Sequence, residues 1–176
     1  VLQTRKSVGV CDVTTLGKVD VQGKDAASFL NLIYCNGFAK LAIGKTRYGL
    51  MLREDGIALD DGTAARLDEN HFVVTTTTAN AVSVYRHMEF VRQCLYPKMD
   101  VQLISTTEAW AQFAVAGPNS RSVLRKIVDK EYDISNEEFP FMACGQITVC
   151  GGLRARLFRI SFSGELAYEL AVPTRY

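Results

Sequence analysis

Between residues 47 and 77 the chain alternates apolar and polar positions in three short runs, 47–53, 57–67 and 71–77, parted by Asp55-Gly56 and by Asp68-Glu69-Asn70. A period of two, bounded by turn residues, predicts a three-stranded antiparallel meander. Asp-Gly favours a two-residue type I′ turn because both residues tolerate positive φ. Such a turn sets Leu50 opposite Asp61 and makes Tyr48 the diagonal neighbour of Asp61. Ile57, Leu59, Asp61, Thr63, Ala65 and Leu67 then share one face, joined by Tyr48, Leu50 and Leu52, while Asp60, Gly62 and Arg66 point the other way. On this pattern Asp61 is a lone carboxylate on a largely apolar face. A carboxylate is costly to bury unless paired, so Asp61 is either a functional acid or a residue that caps a turn or a nearby amide.

The same reading extends along the chain. Val8 to Val21 predicts a strand, or a bent pair of strands broken at Gly17. Asp25 is placed to cap a helix whose Ala26, Phe29, Leu30 and Ile33 make one apolar side. Asn80 is placed to cap a second helix, with Ala81, Val84, Tyr85, Met88 and Val91 at helical spacing and His87 at its boundary. After a strand near 100–105 the pattern restarts. Phe113 to Leu124 resembles Val19 to Leu30, with Gly117 matching Gly23 at the same strand-to-helix junction. A helix over 119–129 and strands near 145–150, 153–161 and 166–172 follow, turning at Gly151-Gly152 and Ser163-Gly164. The last hairpin sets Glu169 opposite Phe158, on a side shared with Ala167, Ile160 and Phe162, where it is either a functional acid or an exposed residue of an edge strand. Glu165, beside the turn, reads as solvated, and Trp110 as core. Two acids on two apolar faces, one per repeat, point to a shared pocket.

The fold class expected is therefore α+β: two intertwined β-α-β-β-β halves, about 1–105 and 106–176, the first with a further helix. The helix that would close the second half is expected beyond Tyr176, and the chain, beginning at Val1, reads as a piece of something longer.

Composition narrows the chemistry. A formal net charge of +1 without charged blocks gives no case for nucleic acid or a membrane surface as partner. No apolar run approaches the roughly 18 residues of a spanning helix. Five scattered cysteines, no Cys-x-x-Cys pair and two histidines argue against a zinc site or a disulfide framework, and no metal is expected. Reduced thiols suit a cytoplasmic protein. The absence of Gly-x-Gly-x-x-Gly after a strand argues against a dinucleotide fold on this stretch.

Four motifs carry a resemblance: Asp12 to Gly23, Gly56-Ile-Ala-Leu-Asp-Asp61, Ala116-Gly-Pro118 and Phe162 to Glu169. They resemble the folate-binding aminomethyltransferase family, which includes the T-protein of glycine cleavage and the C-terminal regions of dimethylglycine and sarcosine oxidases. The likeness runs the length of the chain. Phe29 to Tyr34, Arg53 to Gly56, Thr75 to Thr78 and Ala155 to Glu165 resemble the heterotetrameric sarcosine oxidase branch in particular. The resemblance implies tetrahydrofolate as cofactor and capture of a one-carbon unit as 5,10-methylenetetrahydrofolate. It implies Asp61 near the reactive folate nitrogens, Glu169 on the pterin ring, and Tyr48 and Phe162 lining the same pocket. The family's usual Tyr-Thr-Gly-Glu is Phe162-Ser-Gly-Glu here, which removes a phenol hydrogen bond. The implied partners are other subunits, among them a flavin-bearing β subunit, with flavins and NAD elsewhere in the complex. A C-terminal domain is expected downstream, so the isolated stretch is expected to bind folate weakly or not at all. A non-catalytic folate sensor or a subunit-assembly module of the same fold is the alternative.

Overall fold

The structure, a computed structural model, describes residues 1–176. Its elements in chain order are helix α1 (Leu2–Lys6), strands β1 (Gly9–Asp12) and β2 (Gly17–Gln22), helix α2 (Ala26–Ile33), strands β3 (Lys45–Leu52), β4 (Ala58–Asp68) and β5 (His71–Thr76), and helix α3 (Ala81–Phe90). A π-helical turn, Val91–Leu95, ends α3. Then come β6 (Gln102–Ser105), β7 (Trp110–Ala116), α4 (Ser120–Leu124), β8 (Cys144–Val149), β9 (Leu153–Phe158) and β10 (Ala167–Pro173). No helix is long and apolar enough to cross a membrane.

The chain forms two compact units, Thr15–Thr107, and Val1–Thr14 with Glu108–Tyr176. Each holds a five-stranded antiparallel sheet, ordered β3-β4-β5-β2-β6 in the first and β8-β9-β10-β7-β1 in the second. The repeat read from Gly23 and Gly117 is thus a repeat of topology. The two glycines have φ of 131° and 123°. A Cβ at Gly23 would lie 2.0 Å from the Asp100 carbonyl oxygen, and one at Gly117 would lie 2.4 Å from those of Ser7 and Thr4. Only glycine satisfies both the angle and the close approach.

In the Thr15–Thr107 unit, α2 buries Ala26, Phe29, Leu30 and Ile33, and α3 buries Val84 and Met88. They pack with Val19, Val21, Met51, Ala64, Phe72 and Val74 of the sheet. Neither predicted capping side chain caps its own helix. Asp25 instead accepts the Asp100 amide at 2.8 Å. The other unit builds its core from Val115, Leu124, Ile147, Val149, Leu157, Tyr168 and Leu170. Trp110 is not in that cluster; it is half-buried at the start of β7, with the Arg156 guanidinium 4.2 Å from its ring centre. The predicted helix over 119–129 shortens to the five residues of α4.

Candidate functional site

The register read for the first hairpin holds where it matters: Leu50 pairs with Asp61 and Tyr48 with Thr63. The turn differs. Arg53 N donates to Ile57 O at 2.8 Å, so Glu54, Asp55 and Gly56 form a three-residue loop in which only Gly56 has positive φ, 83°. That loop shifts the pairing by one residue. Met51 pairs with Asp60 and Leu52 with Ala58, so Leu59 is the extra residue of a bulge that restores the register before Asp61.

Burial of the two acids is the reverse of the expectation. Asp61 is exposed, whereas Asp60, on the opposite face, is 6% exposed. The helices cover the face carrying Gly49, Met51, Asp60, Gly62 and Ala64. That side is close-packed through small residues: a Cβ on Gly49 would lie 2.9 Å from the Tyr34 ring. Asp60 is satisfied there by three donors, Thr77 N at 3.1 Å, Thr77 Oγ1 at 2.6 Å and Asn80 Nδ2 at 3.1 Å. Burial and the Asp60 charge both push the Tyr34 phenol pKa upward, burial more.

The face carrying Asp61 is more polar than predicted. Lys18, Asp20, Thr46, Thr63 and Thr75 lie on it with Ala65 and Val73. Tyr48, itself half-exposed, donates its phenol hydrogen to Asp61 Oδ2. This bond is the main cause of a phenol pKa raised above the ordinary value, with desolvation and the charges of Asp61 and Asp60 adding to it. Thr63 and Thr75 hydroxyls meet at 2.7 Å beside the pair. Farther along the face, buried Asp20 lies 3.1 Å from His71 Nε2 and accepts from Thr106 Oγ1 at 3.2 Å. Asp61 and Tyr48 are therefore brought together at the exposed end of a face whose Lys18, Asp20, Thr46, Ala65 and Val73 are buried.

Glu169 pairs with Phe158 across the β9–β10 ladder, as read, and with Ala114 of β7 on its other side. It is half-buried, whereas Phe158 is 3% exposed. The core lies on the opposite face of this sheet, under Tyr168 and Leu170, so Glu169 also stands on the side away from its unit's core. Two neighbours differ from the expectation. Phe162 is fully exposed, because β9 ends at Phe158 and residues 161–166 form an irregular connection instead of a two-residue turn. Alternation therefore does not carry Phe162 to the side of Glu169. Glu165 is not merely solvated; its carboxylate pairs with Arg5 at 2.7 Å.

One partner of Glu169 escapes the sequence reading. Gln112 Nε2 donates to Glu169 Oε2, and Gln112 is 1% exposed. Its signal is a single amide within the otherwise apolar run Trp110–Ala116. No group of three His, Cys, Asp or Glu side chains stands close enough to hold a metal ion.

Comparison with known proteins gives this geometry a context. Residues 1–176 match the family model of the GCVT N-terminal domain. The chain is 59% identical over 177 residues to sarcosine oxidase subunit alpha of Rhizobium meliloti, covering 100% of this chain and 18% of that protein. It is 49% identical to the same subunit of Corynebacterium sp. strain P-1, over 97% of this chain and 18% of that protein. It is 31% identical to an aminomethyltransferase of Thermus thermophilus, over 96% of this chain and 46% of that protein. The crystal structure of glycine cleavage system aminomethyltransferase T from Bartonella henselae matches with a TM-score of 0.83 at 26% identity, over 98% of this chain and 44% of that one. A chain of the heterotetrameric sarcosine oxidase from Corynebacterium sp. U-96 shares the fold, with a TM-score of 0.67 at 13% identity, over 97% of this chain and 80% of that one. The chain thus spans about a fifth of the sarcosine oxidase subunits and under half of the aminomethyltransferases it matches.

Proposed function

The chain belongs to the GCVT N-terminal domain family, and we propose that it is the tetrahydrofolate-binding portion of a sarcosine oxidase α subunit. In this reading it captures the one-carbon unit from sarcosine oxidation as 5,10-methylenetetrahydrofolate. The flavin chemistry that oxidises sarcosine belongs to other parts of the complex, including a flavin-bearing β subunit.

The observation that carries the reading is the Tyr48–Asp61 pair. Asp61 is not consumed by a turn or a helix cap; it stands exposed on the sheet with a phenol held against it. When bound, tetrahydrofolate would supply the amine that takes the carbon of the oxidised sarcosine imine, the carbon's bond to the glycine nitrogen breaking as glycine leaves. Asp61 then takes the proton that this amine sheds, at the carboxylate that Tyr48 orients. Positioned general-base catalysis of this kind contributes about 10²–10⁴-fold. Glu169 fits the pterin for a separate reason. Glu169 stands opposite Phe158 in the ladder and its carboxylate is held by a buried amide, an arrangement suited to accepting N–H groups from a flat heterocycle.

The test is tetrahydrofolate binding to the full-length protein that carries this chain, with and without Glu169→Gln. Loss of a charge-assisted hydrogen bond should weaken binding by about 1.5–3 kcal/mol and leave sarcosine oxidation unchanged. Unaltered affinity would remove Glu169 from the folate site.

A further inference from the structure

Gln112 has a burial and a set of bonds that a β-strand does not require of it. It lies on β7 opposite Ala171 of β10, two positions from Ala114, which faces Glu169. Both of its backbone groups are held: its N–H donates to Thr14 Oγ1 at 3.0 Å, and its carbonyl accepts from Val13 N at 2.9 Å. The side chain is 1% exposed and spends an amide hydrogen on Glu169 Oε2. A buried amide costs free energy unless its polar atoms are satisfied, so an apolar residue would serve a purely structural role at lower cost. Phe158 on the neighbouring strand stands opposite Glu169. The charged and titratable groups on the same face are Arg154 and buried Arg156 of β9, Cys144 of β8 and Cys11 of β1; the arginines stay charged throughout the range tested below.

We propose that Gln112 is a positioning residue for Glu169, helping to fix which way the carboxylate presents itself to a ligand; this rests on the folate reading above. The amide suits the task because it does not titrate. It donates to one carboxylate oxygen at every pH and reduces the rotamer freedom Glu169 would otherwise lose on binding. A carboxyl at the same place would behave differently. Two carboxyls within hydrogen-bond reach ionise together only at high cost. At low pH they share a proton and restore the missing donor; at high pH they repel.

The experiment measures tetrahydrofolate affinity by calorimetry from about pH 5.5 to 8.5, a window spanning the titration of a shared carboxyl proton. It uses the full-length protein and its Gln112→Leu, Gln112→Glu and Glu169→Gln variants. Gln112→Leu should bind about tenfold more weakly at every pH. Gln112→Glu should bind as weakly near pH 8 and recover affinity as the pH falls, which a loss of packing alone would not produce. If Gln112→Leu does not fold, the pH series of Gln112→Glu decides the matter. Glu169→Gln weakening binding while Gln112→Glu binds like the parent, or weakly with no pH dependence, overturns the role of Gln112 and leaves the folate reading intact. Glu169→Gln binding like the parent overturns both.

Discussion

Replacing Asp60 by alanine removes one acceptor from three donors at once. The carboxylate takes the Thr77 amide at 3.1 Å, the Thr77 hydroxyl at 2.6 Å and the Asn80 amide at 3.1 Å, and it is 6% exposed. Hydrogen bonds to a charged group contribute about 1.5–3 kcal/mol each, and a buried donor left unmade costs about 1–3. The three are coupled through one carboxylate and do not add. The expected loss is therefore about 3–5 kcal/mol, the range for removing one partner from a buried charged network. At 1.4 kcal/mol per decade this is about 10²–10⁴ faster opening of β4, β5 and the start of α3. Hydrogen–deuterium exchange, followed by mass on peptides covering residues 58–84, reads it directly in the full-length protein. Asp61→Ala is the comparison: an exposed residue bonded to a half-exposed phenol should cost within about 1 kcal/mol. If Asp61→Ala speeds exchange as much as Asp60→Ala does, or if Asp60→Ala leaves exchange unchanged, the assignment of the two faces is wrong.

Two further outcomes follow from turns and close contacts. Asp129 is held below the ordinary carboxylate range, chiefly by the Thr148 hydroxyl at 2.6 Å and then by the Gly151 and Gly152 amides. A carboxyl pKa lower in the folded state gives stability that is present above the unfolded value of about 3.9 and is lost as pH falls through the folded one. Asp129→Asn should therefore be less stable than the parent near neutrality, and the two should converge in acid, as urea midpoints across pH would show. Gly117→Ala would set a Cβ 2.4 Å from two carbonyl oxygens at a φ of 123°, and a loss of more than about 2 kcal/mol is expected in thermal melts. Gly37→Ala, with nothing within 4 Å of the new Cβ, is the control and should stay within about 0.5 kcal/mol.

Much of this architecture is legible in the chain because period and spacing dictate it. The apolar side of α2 is the one that Ala26, Phe29, Leu30 and Ile33 outline, and Glu169 meets Phe158 as alternation requires. Leu50 meets Asp61 although the turn is not the two-residue form expected, because a three-residue loop and a one-residue bulge cancel. What the pattern hides is which face the helices cover. Counting large apolar residues favours the side of Leu50, Leu52 and Ile57. Close packing instead uses the side of Gly49, Gly62 and Ala64, where small residues let Tyr34 and Phe38 approach. Phe162 departs from its expected place because alternation does not extend through a segment, 161–166, that belongs to no strand. Gln112 is invisible to local pattern because its meaning lies in a residue 57 positions away.

The most direct test of the one-carbon reading is the fate of the carbon in Asp61→Ala. In the intact complex, with saturating tetrahydrofolate, sarcosine consumption and peroxide formation should be nearly unchanged, because Asp61 and its Tyr48 partner are assigned to the folate amine and not to a flavin. Formaldehyde and 5,10-methylenetetrahydrofolate are then measured side by side. The expected result is a shift of product from methylenetetrahydrofolate to formaldehyde, with tetrahydrofolate affinity retained. An unchanged product ratio in Asp61→Ala, with folate still bound, would contradict the transfer role and leave the domain as a folate-binding or assembly module.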